Sequence, residues 1–273
     1  MLNHILSQFV RSLLLPVLLF SPRFAQTPKI TSATGSDEKP QQIIQKAIEV
    51  LGGSNYLNVK TVTGRGFFTT YEEGISQIPA RFVDYIAYPD RERTEFSAAG
   101  IRTIQTNTGS TGWLYDGGVK KLSDQSPGQV EDFKRTMRTS VENLLRGWWQ
   151  QDGGHIVYVG RREAGLAKRN ETIRLTYSDG FWIEYEFGAK DGLPAKISYK
   201  RARKNPDSGD MEETTEVDQL LKPITVDGVT APWVIDHFVN GKQTTRINYE
   251  SIQFNQPLPD SLFAKPDSVK SIK

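Results

Sequence analysis

The sequence predicts a mainly β, α+β fold: a curved antiparallel sheet interrupted by two amphipathic helices. Three observations predict it. Asp116-Gly117, Asp179-Gly180, Asp191-Gly192, Asp227-Gly228 and Asn240-Gly241 each sit beside strand-like runs, and such pairs tolerate the positive φ that tight hairpin turns require. From Val59 onward the runs are rich in Thr, Val, Phe and Tyr and alternate between two faces. Nothing alternates strand with helix in the rhythm of a parallel sheet, so a Rossmann or TIM arrangement is a poor fit.

The N-terminus reads as an export signal over residues 1–25. Arg11 precedes the apolar run from Leu13 to Phe20, which is too short to span a bilayer as a helix. Cleavage after Ala25 fits, although Arg23 occupies a position where a small residue is expected. The alternative is an uncleaved N-terminal anchor. Residues 26–39 are polar and read as a flexible leader, residues 40–267 as a single β-domain and residues 268–273 as a tail.

The first helix is expected at Pro40, a residue suited to a first helical position, with Asp37 and Glu38 near the positive end of its dipole. Ile43, Ile44, Ala47, Ile48 and Leu51 form one apolar stripe, and Gly52-Gly53 supplies the stop. Strands follow at Thr61–Tyr71, around Phe82–Tyr88, and over Arg91–Phe96, Ile101–Asn107 and Trp113–Tyr115. Phe82, Asp84, Ile86 and Tyr88 share one face. Gly64-Arg65-Gly66 inside the first strand is best explained by a bulge or a close backbone approach.

A single long helix is expected from Pro127 to Gln151. Ser126, Pro127 and Gln129 resemble a capping box with Pro in the first turn. Val130, Phe133, Met137, Val141, Leu144, Leu145 and Trp148 recur on one face, which needs a concave apolar surface such as a barrel mouth. Later, Phe181, Ile183, Tyr185 and Phe187 point to one side of a strand, expected inward. Trp182, Glu184 and Glu186 point to the other, expected to be solvated.

Composition narrows the functional classes. Among 273 residues there is no Cys, which excludes disulfides, thiol catalysis and thiolate metal sites. Without residues 1–25, which hold Arg11 and Arg23 and no acidic residue, 32 basic side chains face 32 acidic ones. A neutral, mixed surface lacks the footprint of a nucleic-acid binder, so no nucleic acid is expected as partner.

Catalytic signals are weak. The three His residues show no ligand spacing, so no metal and no cofactor is expected. There is no nucleophile elbow and no P-loop. Glu184 and Glu186 could in principle serve glycoside chemistry, and His237 could serve a hydrolase, but a surface carboxylate pair and a packed strand His are the simpler readings. Lys200–Lys204 and the acids from Asp207 to Glu213 read as a solvated hairpin tip whose charges neutralise each other.

What remains is an apolar interior. A large curved sheet leaves a cavity if it does not close. Its expected ligand-binding lining is Trp113, Tyr115, Phe133, Met137, Leu144, Trp148, Phe181, Ile183, Tyr185, Phe187 and Phe238.

Five segments, in this order and spacing, carry a family resemblance: Ile44–Gly53, Tyr88-Pro89-Asp90-Arg91, Gly112–Gly117, Asp191-Gly192-Leu193-Pro194 and Asn255–Phe263. Together they resemble the LolA-like periplasmic lipoprotein-carrier and outer membrane lipoprotein-sorting proteins over nearly the whole mature chain. The resemblance implies a half-open antiparallel β-barrel with two helices lidding an apolar cavity that takes acyl chains, in a periplasm. The expected role is a binding protein, not an enzyme, that carries or senses a lipid or acylated lipoprotein. An envelope membrane protein is a second candidate partner, and the chain is expected to be a monomer. The alternative is an envelope interaction or regulatory module on the same fold with no lipid cargo, and a hydrolase ranks third. The charged hairpin Lys200–Glu213 departs from the family pattern.

Overall fold

A computed structural model describes residues 38–204 and 209–272. The expected export signal and residues 26–37 of the leader lie outside the described residues. In chain order the elements are α1 (Glu38–Leu51), α2 (Ser54–Leu57), β1 (Thr61–Glu72), β2 (Ile75–Ser76), β3 (Ala80–Ala87), β4 (Arg91–Ala98), β5 (Ile101–Thr108), β6 (Thr111–Asp116) and β7 (Lys121–Asp124). Then come α3 (Pro127–Thr139), α4 (Val141–Leu145), a 3-10 turn (Trp148–Gln150), β8 (His155–Glu163), β9 (Arg169–Thr176), β10 (Trp182–Gly188), β11 (Pro194–Lys204), β12 (Met211–Val226), β13 (Val229–Val239) and β14 (Lys242–Phe254).

All strand pairs are antiparallel, in the order β7-β6-β5-β4-β3-β1-β14-β13-β12-β11-β10-β9-β8, with β2 appended to β1. β1 joins two meanders by pairing β3 on one side and β14 on the other. The outermost strands β7 and β8 do not pair with each other, so the sheet curls without closing. The segment α3–α4 leads from one free edge to the other.

The hairpin signals have a direct backbone counterpart at two turns. Asp227 and Gly228 have φ of 49° and 76°, and Asn240 and Gly241 have 49° and 78°, the double positive φ of a type I′ turn. The Gly-x-Gly segment is also accounted for. A bulge falls between Arg65 and Gly66, and a methyl at Gly66 would lie 2.1 Å from the Asn248 carbonyl oxygen.

Three local expectations change. α1 begins at Glu38, two residues before Pro40, and the four-residue α2 follows the Gly-Gly stop. The long helix is broken. Ser140 adopts φ −61° and ψ 151°, and its hydroxyl accepts the Asn143 amide at 3.1 Å, so it starts a new helix. Gly147, with φ 73°, ends that helix before Trp148. The capping box at Ser126 forms as expected, with its hydroxyl accepting Gln129 N and Gln129 Oε1 accepting Ser126 N. Helical spacing of apolar residues cannot distinguish a continuous helix from two helices that share a face.

The core lies on the concave side. α1 and α4 lay Ile43, Ala47, Leu51 and Leu144 against Ile173, Leu175, Ile183 and Tyr185. Each such aliphatic side chain contributes ~2 kcal/mol when fully buried. Arg146 fastens α2 to this layer by donating to the carbonyl oxygens of Tyr56 (2.8 Å), Leu57 and Val59 (both 3.0 Å).

The convex side of the first meander is covered by the C-terminal segment. Trp113 Nε1 donates to the Phe263 carbonyl at 2.9 Å, and Arg93 donates to that of Leu262 at 2.7 Å. The convex side of the second meander carries Glu184 and Glu186, which point outward as expected but are not solvated. They are 4% and 2% exposed because Arg162, Arg174 and Lys196 close over them at 2.5–2.6 Å.

Candidate functional site

The concave face of the first meander is not filled by the helical layer. A cavity of about 420 Å³ lies between it and α3, a size typical of small-ligand sites. Its apolar walls are Phe68, Phe82, Phe96 and Phe133, with Ile247 and Tyr249 from β14, and polar residues line the rest, among them Gln105, Gln129 and Asp132, the last paired with Arg135 and Arg201. Phe68 and Phe96 meet edge to face at 5.5 Å, as do Phe82 and Tyr249 at 5.4 Å. α3 forms the roof, and the ion pair Asp132–Arg201 fastens it to β11.

Two further carboxyl groups, neither with a cation partner among the described residues, line the cavity. Asp84 is 7% exposed, and Asp84 Oδ1 accepts the Thr94 hydroxyl at 2.9 Å. Glu92 lies diagonally across on β4, hydrogen-bonded to Asp84. Burial pushes Asp84 up to about 6, against the hydrogen bonds from Thr94 and Glu92. Burial, reinforced by repulsion from Asp84, pushes Glu92 well above the usual carboxylate range. Both shifts favour a pair that shares one proton.

A second, larger space of about 830 Å³ opens on the other side of α3. Phe133, Met137, Trp148 and Phe181 supply its apolar lining, and Lys134, Arg135, Arg138 and Asp179 its charged rim. Phe133 borders both spaces. Arg138 is held by Asp179 at 2.7 Å and lies over the Tyr177 ring at 3.7 Å.

The residues expected to line one cavity fall into four groups. Phe133, Met137, Trp148 and Phe181 do border open space. Leu144, Ile183, Tyr185 and Phe187 face the same side but are sealed beneath α1 and α4, at 0–1% exposure. Trp113 and Tyr115 lie on the opposite face, where Trp113 packs under the C-terminal segment. Phe238 also faces away: in the β12–β13 ladder it pairs with Val217, one step from the concave pair His237–Asp218. Strand alternation gives which residues share a face, but not which face is concave.

His237 stands on the concave side between two carboxylates. Its Nδ1 lies 2.6 Å from Asp218 Oδ1 and its Nε2 2.9 Å from Glu216 Oε2. Burial opposes the charged ring, but the hydrogen bonds to Asp218 and Glu216 outweigh it and raise the imidazole to about 9. Glu184 is on the other face. Burial alone would raise it; Arg162 and Arg174 outweigh that and hold it below the usual range. The residues considered for a hydrolase are therefore not brought together.

Phe68, Phe82, Asp84, Glu92, Phe96 and Tyr249 line the cavity without being among the residues expected from the sequence to do so. One signal was present: Asp84 alternates onto the same face as Phe82 and Ile86, a carboxylate on an otherwise apolar face.

No family model matches this sequence, and no curated protein sequence matches it. Solved structures do match. A LolA superfamily protein from Nitrosomonas europaea is 13% identical, with a TM-score of 0.54 over 85% of this chain and 99% of the other. The fold is LolA-like. A domain assigned to outer membrane lipoprotein sorting, from Vibrio parahaemolyticus, is 10% identical with a TM-score of 0.54, covering 84% of this chain and 97% of the other. A DUF1329 family protein from Desulfovibrio piger is 9% identical with a TM-score of 0.58, covering 85% of this chain and 98% of the other. The LolA-like sheet in this chain has a half-filled interior, with helices sealing the second meander and leaving the first hollow.

Proposed function

We propose that this protein is an exported periplasmic binding protein that carries or senses the acyl part of a lipid or an acylated lipoprotein. The observation that carries the reading is the phenylalanine-walled cavity of about 420 Å³ under α3, adjoining the larger opening lined by Met137 and Trp148. An acyl chain leaving water gains about 0.8 kcal/mol per buried methylene, so roughly ten methylenes would outweigh much of the entropy lost on binding. The sorting domain from Vibrio parahaemolyticus has the same fold, which agrees with such a role.

The test is saturable uptake of a neutral fluorescent fatty-acid methyl ester by the purified protein. Ile247→Trp places a large ring in the cavity and is expected to weaken uptake at least tenfold while the β-rich circular dichroism persists. Well-folded protein that takes up no ester overturns the reading. The competing reading, an envelope interaction module with no lipid, predicts native mass spectra in which a protein partner copurifies and no lipid does.

A further inference from the structure

Asp84 differs from the other acidic residues buried to the same degree. Glu171, Glu184, Glu186, Glu216 and Asp236 each face an arginine, lysine or histidine within 4 Å. Asp84, equally buried, has Glu92 and a threonine hydroxyl instead, and no cation is within ion-pair distance of either carboxyl among the described residues. A second polar group on this face is also incomplete. Asn107 pairs with Glu92 across the β4–β5 ladder, on the same concave face. It is 2% exposed, and its Oδ1 has no hydrogen-bond partner among the described residues. Directly opposed side chains on neighbouring strands start about 4.5–5.5 Å apart, so the unmet Asn107 amide oxygen neighbours the Glu92 carboxyl and extends an acceptor set that has no cation among the described residues.

We propose that Asp84, Glu92 and Asn107 form a headgroup subsite that receives the primary ammonium of an amphiphile whose chain lies against the four phenylalanine rings. This deepens the acyl-binding reading and rests on it. A primary ammonium offers three N–H donors to the carboxyl and amide oxygens and supplies the positive charge that the pair lacks. On entry it displaces the proton held between Glu92 and Asp84, which leaves to solvent as both groups ionise around the cation. A divalent metal ion fits less well, because calcium takes six to eight oxygen ligands, and no group of three or more His, Cys, Asp or Glu is placed to hold a metal among the described residues.

The test is competition against the neutral methyl ester, using dodecylammonium, dodecanoate and dodecyltrimethylammonium on the full chain. Dodecylammonium is expected to bind at least tenfold more tightly than either of the others. Asp84→Asn combined with Glu92→Gln, or Glu92→Gln alone, is expected to reduce that preference to less than threefold. The neutral amides replace a pair that already shares a proton, so both variants are expected to fold. Equal or tighter binding of dodecanoate overturns the subsite while leaving the cavity reading intact. So does equal binding of the trimethylammonium compound, which has no N–H, or a preference that survives in the double variant. Displacement of dodecylammonium by millimolar calcium, with no dependence on alkyl chain length, would instead indicate a metal site and also overturn the proposal. If the methyl ester itself does not bind, the acyl reading fails and the subsite with it.

Discussion

The Tyr249 ring occupies the space that a side chain at Gly64 would need: a methyl there would come within 2.6 Å of Tyr249 Cε1. The glycine in β1 thus lets an aromatic ring from β14 lie flat across the sheet and form one wall of the cavity. Gly64→Ala is expected to push Tyr249 into the cavity, destabilise the protein by about 1–3 kcal/mol and weaken uptake of the methyl ester. Urea unfolding and ester titration of the same variant check this. Unchanged stability and uptake would mean that Tyr249 has room to move aside.

Arg146 links α4 to the end of α2 through three carbonyl oxygens and lies over the Tyr88 ring at 4.7 Å. Arg146→Met keeps much of the stem but leaves those carbonyls without their donor. The expected loss is about 3 kcal/mol or more, from the cost of unmet polar groups, read as a lower urea midpoint.

His237 gives the protein a pH signature. Its folded value of about 9 lies above its ordinary 6.5. The stabilisation is therefore fully present below pH 6.5, declines between 6.5 and 9, and is lost above that window. The size is on the order of 3 kcal/mol. Asp84, raised to about 6 by burial, acts in the same sense at lower pH: stability rises as pH falls from 6 toward 3.8. His237→Gln should flatten the urea midpoint between pH 6.5 and 9. A wild-type midpoint that is constant across that window would contradict the two-carboxylate cradle.

Trp148 and Tyr185, both expected from the sequence to line one cavity, should behave differently. Tyr185 is 1% exposed in the sealed core, so Tyr185→Ala should cost about 3–5 kcal/mol as a large-to-small core substitution. Trp148 borders the opening and packs against Tyr88 with the rings tilted at 53° and their centroids 5.6 Å apart. Trp148→Ala should cost only about 1 kcal/mol but weaken ester uptake severalfold. Equal destabilisation of the two variants would argue that the opening is part of the packed core.

Much of the architecture was legible in the chain. Positive-φ pairs such as Asn240-Gly241 gave the antiparallel meander, and the stripe from Ile43 to Leu51 gave the first helix, because both depend on local backbone and periodicity. The site was less legible for a tertiary reason. Two-residue alternation groups Phe181 with Tyr185 and Trp113 with Tyr115, but the curl of the sheet decides which group faces the cavity. Whether helices fill the space is decided by the break at Ser140, which places α4 over β10 and leaves α3 above the first meander. That break depends on a serine in extended conformation, which the apolar spacing of the helix cannot reveal. The acid pair was visible only as one carboxylate out of pattern, since Glu92 reaches it from the neighbouring strand.

The proposed occupant of the hollow under α3 is an acyl chain. The direct measurement is photo-crosslinking with a diazirine-bearing fatty-acid methyl ester, followed by peptide mapping of the adducts. Adducts are expected on segments containing Phe82, Phe96, Phe133 and Met137, competed away by unlabelled ester. Adducts confined to the convex face around Trp113, or none in folded protein, would contradict that occupancy.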